Sequence, residues 1–496
     1  MQGTWRDAED GYLEANAIAQ GSVDSTYALS TRIAPGREST LYAWIAVGRS
    51  LEEVRTLNGL IGFEGPEALI TRTRAFWQLW LKRRAADRLE AEPFQDLYNR
   101  SLLLVRTNCD RMGGIVAAND SDIMDSSRDT YSYVWPRDGA FVARALDSAG
   151  YPNLSGRFFD FMAPLIDPGG YYLHKYNPDG SLASSWHPWV VGGRPELPIQ
   201  EDETGTMLWA MWEHFADFRD VERAEAWLES VVLPAGQFLA DYRHPETGLP
   251  WPSWDLWEER RGIHAYTTAS VWAGLMAAGH FARAFGYEDR ANTFYQAAHE
   301  IRTAALTHLV DPDTSRLYRS LLIDEQHPEN LTADPTPDAS LLLIPQFGFL
   351  APDHPVMGQT AQWIRESLAV PSDVGGLARY RGDHYHRAPH LGPEVPGNPW
   401  FICTLWLADY LLMRARTPDD LARPREIIEW VQHHAPKSGV LAEQLDPTTG
   451  APLSVAPLTW SHSALIATIG RYRETLARMR DGSRQDAARE MPSIGY

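Results

Sequence analysis

From residue 92 onward, apolar residues recur with the 3.6-residue period of an α-helix, and the breaks are long and regularly spaced. Twelve helices can be placed, at 94–108, 138–149, 155–166, 201–217, 221–242, 264–285, 288–308, 337–350, 357–369, 399–415, 418–434 and 459–479. Several have readable ends. Gly286 stops one helix just before Glu288 and Asp289 supply acids to the first turn of the next, and Pro418-Asp419-Asp420 repeats that start signal. Val271, Leu275, Ala278, Ala282 and Phe285 form one apolar stripe, whereas 399–415 is apolar nearly all round, as a helix covered on every side must be. With Asp409 inside it and no similar companions, 399–415 does not read as a membrane span. Twelve helices alternating between the two kinds make six pairs in two concentric layers, an all-α toroid.

The connections at 110–136, 167–200, 243–263, 309–336, 371–398 and 435–458 recur about once per helical pair, which places them on one rim. They are rich in Trp, Gly, Asp, Glu and His, so they read as functional loops and not as low-complexity linkers. Residues 1–65 differ. Ser25–Ile33 and Ser39–Val47 alternate β-branched and aromatic residues around a Pro35-Gly36 turn, giving two or three strands, too few to stand alone. The expectation is a remnant of a truncated N-terminal β-sandwich at 1–65, a linker helix within 66–92, and the helical domain at 93–496. The sequence starts without a basic stretch followed by an apolar run, which reads as cytoplasmic, with secretion open if the N-terminus is truncated.

A net charge of −20 over 496 residues argues against a nucleic-acid partner, whose phosphates need a basic face. It suits an uncharged ligand. The two cysteines, Cys109 and Cys403, read as free thiols in preference to a single disulfide. There is no phosphate-binding glycine loop, dinucleotide fingerprint, zinc-protease helix or serine elbow, and His384 with His386 lacks a third ligand. No cofactor and no metal are expected, and nothing indicates oligomeric state.

The densest chemistry lies at 249–268, where Trp251, Trp254 and Trp257 stand beside Asp255, Glu258 and Glu259. Buried acids are costly unless paired, and exposed tryptophans are wasteful; a pocket for a polar, neutral ring reconciles the two. Asp255 and Glu258 or Glu259 would share a face in helical geometry, and clustered acids beside tryptophan raise one another's pKa. A carboxyl group still protonated near neutral pH is what cleavage of a glycosidic bond needs. The alternative is a solvated acidic helix start balanced by Arg260 and Arg261. Elsewhere Arg137 and Asp138 either cap a helix or face a ligand, and Trp186 is either core or a stacking platform. Arg379 pairs locally with Asp383 or binds hydroxyls or a carboxylate. Glu443 is either a solvated loop acid or the second carboxylate.

Taken together, Trp135-Pro-Arg-Asp-Gly139, Ser185-Trp186 before Pro198-Ile-Gln-Glu-Asp202, Asp255-Leu-Trp-Glu-Glu259, Ala378-Arg-Tyr380 with Asp383, Gly397-Asn-Pro-Trp-Phe401, Glu443-Gln444 and Leu458-Thr-Trp-Ser461 resemble, in order, the glucoamylase family of inverting glycosidases, glycoside hydrolase family 15. The resemblance implies an (α/α)6 barrel, with Glu258 as general acid and Glu443 as the base that activates water. It implies that Arg137, Asp138, Trp257, Glu259 and Arg379 bind the terminal glucose and that Trp135, Trp186 and Trp460 line the pocket. Two carboxyls in an inverting site stand roughly 6.5–9.5 Å apart. Pro136 and His462 depart from the fungal pattern, and the motif forms look more like prokaryotic members, which act on malto- and isomalto-oligosaccharides, dextran or trehalose. The expected function is exo-acting, inverting hydrolysis of a neutral α-glucan or oligosaccharide to β-glucose. A trehalase, glucodextranase or phosphorylase on the same barrel, or a non-catalytic glucan-binding protein, is the alternative.

Overall fold

The computed structural model describes residues 4–16, 18, 20, 24–82, 94–119, 130–191, 193–324 and 330–490, leaving aside the side chains of 191, 194 and 481–490. They form two compact units, Met1–Lys82 and Arg83–Tyr496.

The first unit corrects the β-sandwich expectation. Among its described residues no strand forms; the regular elements are the helices Trp5–Ala8, Leu51–Glu64 and Pro66–Leu81. The Pro35-Gly36 turn does form, with Arg37 N–H donating to Ala34 O (3.0 Å) and Gly36 at φ +70°. The flanking segments nevertheless carry Tyr27, Leu29, Ile33 and Leu41 exposed, and two short stretches that no sheet covers among the described residues do not gain enough burial to lock a ladder. The helix expected between the two parts is present as Pro66–Leu81; 83–93 lie outside the described residues.

All twelve helices expected in the second unit are present. Six of them, Pro136–Ser148, Glu201–Phe218, Ala265–Ala284, Ala339–Phe347, Phe401–Arg414 and Thr459–Glu490, each pack on the next, and the last packs on the first. That closed ring is the inner layer of an (α/α)6 barrel. Gln95–Thr107, Pro152–Met162, Val221–Asp241, Glu288–His308, Pro355–Leu368 and Ala422–His434 alternate with them in sequence and pack outside. Two elements deviate where proline dictates. The 339–347 segment is a 3-10 helix with Pro345 inside it, because proline removes a donor that an α-helix needs. The 221–241 helix contains one π turn, Leu228–Val232, just before Pro234. Cys109 and Cys403 are buried free thiols.

The inner helices Glu201–Phe218 and Ala265–Ala284 cross unusually closely. A Cβ built on Gly274 would lie 2.8 Å from Gly205 Cα, and one built on Gly205 would lie 2.6 Å from Ser270 O. Mid-helix glycine ordinarily costs about 1 kcal/mol relative to alanine. Here Gly274→Ala should instead destabilise the protein, by about 1–3 kcal/mol, because the contact is with backbone that cannot move aside. Urea titration checks the sign; a more stable variant would show that the crossing tolerates separation.

Each long connection runs from an outer helix into the N-terminus of an inner one, so all six reach the same rim. Two small antiparallel sheets fix four of them there. One joins Ser253–Trp254, Arg261–His264, Ser320–Ile323 and Leu331–Asp334; the other joins Leu377–Ala378, Pro399–Trp400, Gln444–Leu445 and Pro452–Leu453. Among the described residues no helix is long and apolar enough to cross a membrane.

Candidate active site

A pocket of about 230 Å³ opens at this rim, and all ten residues singled out in the sequence line it: Trp135, Arg137, Asp138, Trp186, Trp257, Glu258, Glu259, Arg379, Glu443 and Trp460. Its floor is Trp460, which stacks on Phe141 (5.5 Å, 19°) and leans on Trp406 (5.6 Å). Trp460 also lines a separate cavity at the other end of the barrel, so one indole divides the two. Trp186 is 45% exposed, which excludes the core reading.

The turn at 255–260 does not have the helical geometry expected of it. It is a tight reversal between the strands Ser253–Trp254 and Arg261–His264, closed by Glu258 N–H to Asp255 O (2.9 Å) and by Glu259 and Arg260 N–H to Asp255 Oδ1 (2.8 and 3.0 Å). Glu258 takes φ +64°, the left-handed region that non-glycine residues rarely occupy. Asp255 therefore works beneath the pocket, paired with Arg319 (3.0 Å), while Glu258 and Glu259 line it. Arg260 and Arg261 do not balance these acids: Arg260 lies over the Tyr380 ring, and Arg261 pairs with Glu196 (2.7 Å).

Both arginines make the local ion pairs expected of them and also line the pocket. Arg137 lies in the first turn of the Pro136–Ser148 helix, pairs with Asp138 (3.3 Å), Asp202 (3.1 Å) and Glu203 (3.2 Å), and reaches within 3.8 Å of Glu258. Gln200 links it to the acidic turn, accepting from Arg137 (2.7 Å) and donating to Asp255 O (3.1 Å). Arg379 pairs with Asp383 (2.7 Å) and with Glu259 (2.5 Å) and lies 5.0 Å from the Trp257 ring and 4.9 Å from the Trp400 ring.

Glu443 is not a solvated loop acid; it is 5% exposed. The motif residues around it are its scaffold. Gln444 donates to Glu443 (3.3 Å) and accepts from Asn398 (2.8 Å), Ser461 Oγ donates to Ala442 O (2.9 Å), and His462 Nε2 accepts Leu441 N–H (3.0 Å). His462 is fully buried, and burial drops its pKa to about 3, so it is a neutral core histidine.

The electrostatics overturn one expectation. Burial pushes Glu443 up to about 7. Burial also works against the charge on Glu258, but His174 and Arg137 outweigh it and pull Glu258 down to about 2. Asp138 rises to about 6 because burial outweighs the nearby Arg137. Clustered acids do not lift Glu258, because its nearest partner is the imidazole of His174 (2.8 Å).

His174, His187, Tyr131, Tyr385 and Trp400 belong to the site's surroundings and were not assigned from the sequence. The signals were present: Trp400 ends Gly397-Asn-Pro-Trp, Tyr131 opens the run into Trp135-Pro-Arg-Asp, and both histidines sit in aperiodic loop beside aromatic residues. His174, His187 and Glu258 bring ligand-type atoms within 4.8 Å of one another. The two imidazoles are stacked on each other (4.3 Å, 28°).

A helical toroid with two carboxyl groups in a tryptophan-walled pocket has the parts of a glycoside hydrolase. The profile described as Glycosyl hydrolases family 15 matches residues 92–423 and 417–470, and the chain belongs to that family. It is 30% identical over 378 residues to an uncharacterized glycosyl hydrolase of Methanocaldococcus jannaschii, covering 74% of this chain and 54%, about half, of that protein. It is 24% identical to a trehalase of Mycobacterium tuberculosis, over 94% of this chain and 68% of that one. It is 21% identical to glucoamylase 1 of Rhizopus oryzae, over 71% and 66%. Among solved structures, a bacterial glucoamylase complexed with acarbose superposes with a TM-score of 0.71 at 19% identity, covering 86% of this chain and 62% of that one. The chain has the (α/α)6 barrel of that family.

Proposed function

We propose that the protein is an exo-acting, inverting α-glucosidase that releases β-glucose from malto- or isomalto-oligosaccharides. The observation that carries this reading is that Glu258 and Glu443, brought from distant segments, line one pocket floored by Trp460. A blind floor takes a chain end, and tryptophan faces stack on sugar rings. Arg137, Asp138, Glu259 and Arg379 supply charged hydrogen-bonding groups for hydroxyls, and the acarbose carried by the similar bacterial structure supports an oligosaccharide substrate. Glu258 protonates the leaving oxygen while Glu443 takes a proton from the water attacking C1 from the other face. The decisive measurement is proton NMR of fresh product, which should show β-glucose before mutarotation; α-glucose first would reject inversion.

Two observations favour other readings. The trehalase likeness covers 94% of the chain, which makes trehalose a candidate substrate. Initial rates on maltose, isomaltose, kojibiose, trehalose and soluble starch separate these. The pKa order, with Glu443 at about 7 and Glu258 at about 2, favours Glu443 as acid and Glu258 as base. α-Glucosyl fluoride decides between them, because fluoride leaves without protonation: Glu258→Gln should keep most fluoride hydrolysis if Glu258 is the acid and lose it if Glu258 is the base.

A further inference from the structure

Glu258 does not stand alone in the wall of the pocket. Ser185 Oγ accepts the backbone N–H of His187 (3.1 Å) and lies 3.2 Å from His174 Nδ1, to which its hydroxyl proton is free to be donated. With Nδ1 accepting, a neutral His174 carries its proton on Nε2 and donates it to Glu258 Oε2 (2.8 Å). The imidazole is 1% exposed and cannot turn. His187 stacks on one side of it (4.3 Å) and is itself backed by Trp254 (4.5 Å, 3°), while Trp135 and Trp186 meet it edge-on. His187 is held neutral by burial, so it adds no charge to the stack. The other carboxyl oxygen, Oε1, has Arg137 at 3.8 Å, beyond hydrogen-bond reach.

We propose that Ser185 and His174 are positioning residues for the acid: they reserve Oε2 of Glu258 for the imidazole, leaving Oε1 to carry and deliver the proton. The inference rests on Glu258 being the acid. As the glycosidic C1–O bond breaks, its electron pair leaves on oxygen and takes the proton from Oε1. The carboxylate so formed already accepts the Nε2–H bond, and no proton leaves His174. The contribution of His174 is therefore greatest where proton delivery is most advanced, that is, with poor leaving groups. The Nε2–H bond on Oε2 is in place to stabilise the charge that Glu258 acquires in the transition state.

The test is a series of aryl α-glucosides of graded leaving-group acidity, closed by α-glucosyl fluoride, run on wild type, His174→Phe, Ser185→Ala and Glu258→Gln. His174→Phe should lose about 10- to 100-fold on the poorest leaving groups, the value of one charge-assisted hydrogen bond, and about 2-fold or less on fluoride. Ser185→Ala, which frees the tautomer and removes the acceptor of the His187 N–H but keeps the imidazole, should show the same trend at smaller amplitude and guards against misfolding of the larger change. An equal loss across the series in both variants would make the two residues merely structural and overturn the proposal. If Glu258→Gln loses fluoride hydrolysis, the acid assignment itself fails. If it keeps fluoride hydrolysis while His174→Phe and Ser185→Ala are flat, only the positioning inference fails.

Discussion

Replacing Glu443 with glutamine should lower turnover on oligosaccharide by on the order of 10²–10⁴-fold, the usual contribution of a positioned base. Glutamine keeps the shape of the side chain and the hydrogen bond from Gln444 but cannot take a proton from water. Added azide should restore part of the activity and yield β-glucosyl azide, because an anionic nucleophile needs no base and must attack the same face. The pH dependence carries the sign. With Glu443 pushed to about 7 by burial, a base must first lose its proton, so kcat/KM should rise as pH increases through about 7. Were Glu443 the acid, kcat/KM would fall through the same region. Stability gives a second readout. A carboxyl whose folded pKa is raised stabilises the fold below its unfolded value, near 4.5, and that contribution is lost as pH rises through about 7. Glu443→Gln should thus match wild type near pH 4 and become more stable by about 3 kcal/mol above pH 7, as urea titrations at the two pH values will show. A variant that is inactive yet less stable at high pH would mean that the burial of Glu443 is not what raises it.

The barrel was legible because helix formation and burial leave the same periodic trace. Twelve stripes gave twelve helices, and the all-apolar 399–415 stretch became the inner helix Phe401–Arg414. The rim was legible for a related reason: long connections recurring once per pair must collect at one end of a toroid. What failed depended on contacts between distant segments. Ser25–Val47 has the composition of strands but pairs with no strand among the described residues, and local propensity does not make a sheet. The acidic turn was read as helical because i, i+3 spacing says nothing of a left-handed Glu258. His174 lies 84 residues before the carboxylate it bonds, so spacing could not reveal that Glu258 is pulled down and not up. The Asn398–Gln444 and Ser461–Ala442 bonds show why those motifs hold their particular polar residues, which a reading confined to catalysis leaves unexplained.

The second large effect is expected at a residue that does not line the pocket. Arg319 is buried, with Nη2 on Asp255 (3.0 Å), Nε on Asp338 (2.9 Å) and its guanidinium 4.3 Å from the Tyr380 ring. Each acid it neutralises has a structural task. Asp255 holds the turn that bears Glu258 and Glu259, while Asp338 caps the 339–347 helix through Ser340 N–H (2.8 Å) and accepts the Trp257 indole N–H (2.9 Å). Arg319→Met fills similar volume but leaves two buried carboxylates without their cation, which should cost about 3–5 kcal/mol by chemical denaturation. Adding Asp255→Asn should return part of that loss, because one uncompensated charge disappears, even though Asp255→Asn alone destabilises. Strict additivity of the two changes would show that Arg319 and Asp255 are not coupled. Well below the unfolding midpoint, the double variant should also remain slow, since asparagine keeps an acceptor for the Glu259 and Arg260 amides but no longer has the ion pair that anchors the turn to the next strand. Recovery of stability without recovery of turnover would place the function of this cluster in aiming the carboxylates, with Glu258 reaching its left-handed pose only while the turn beneath it is tied down.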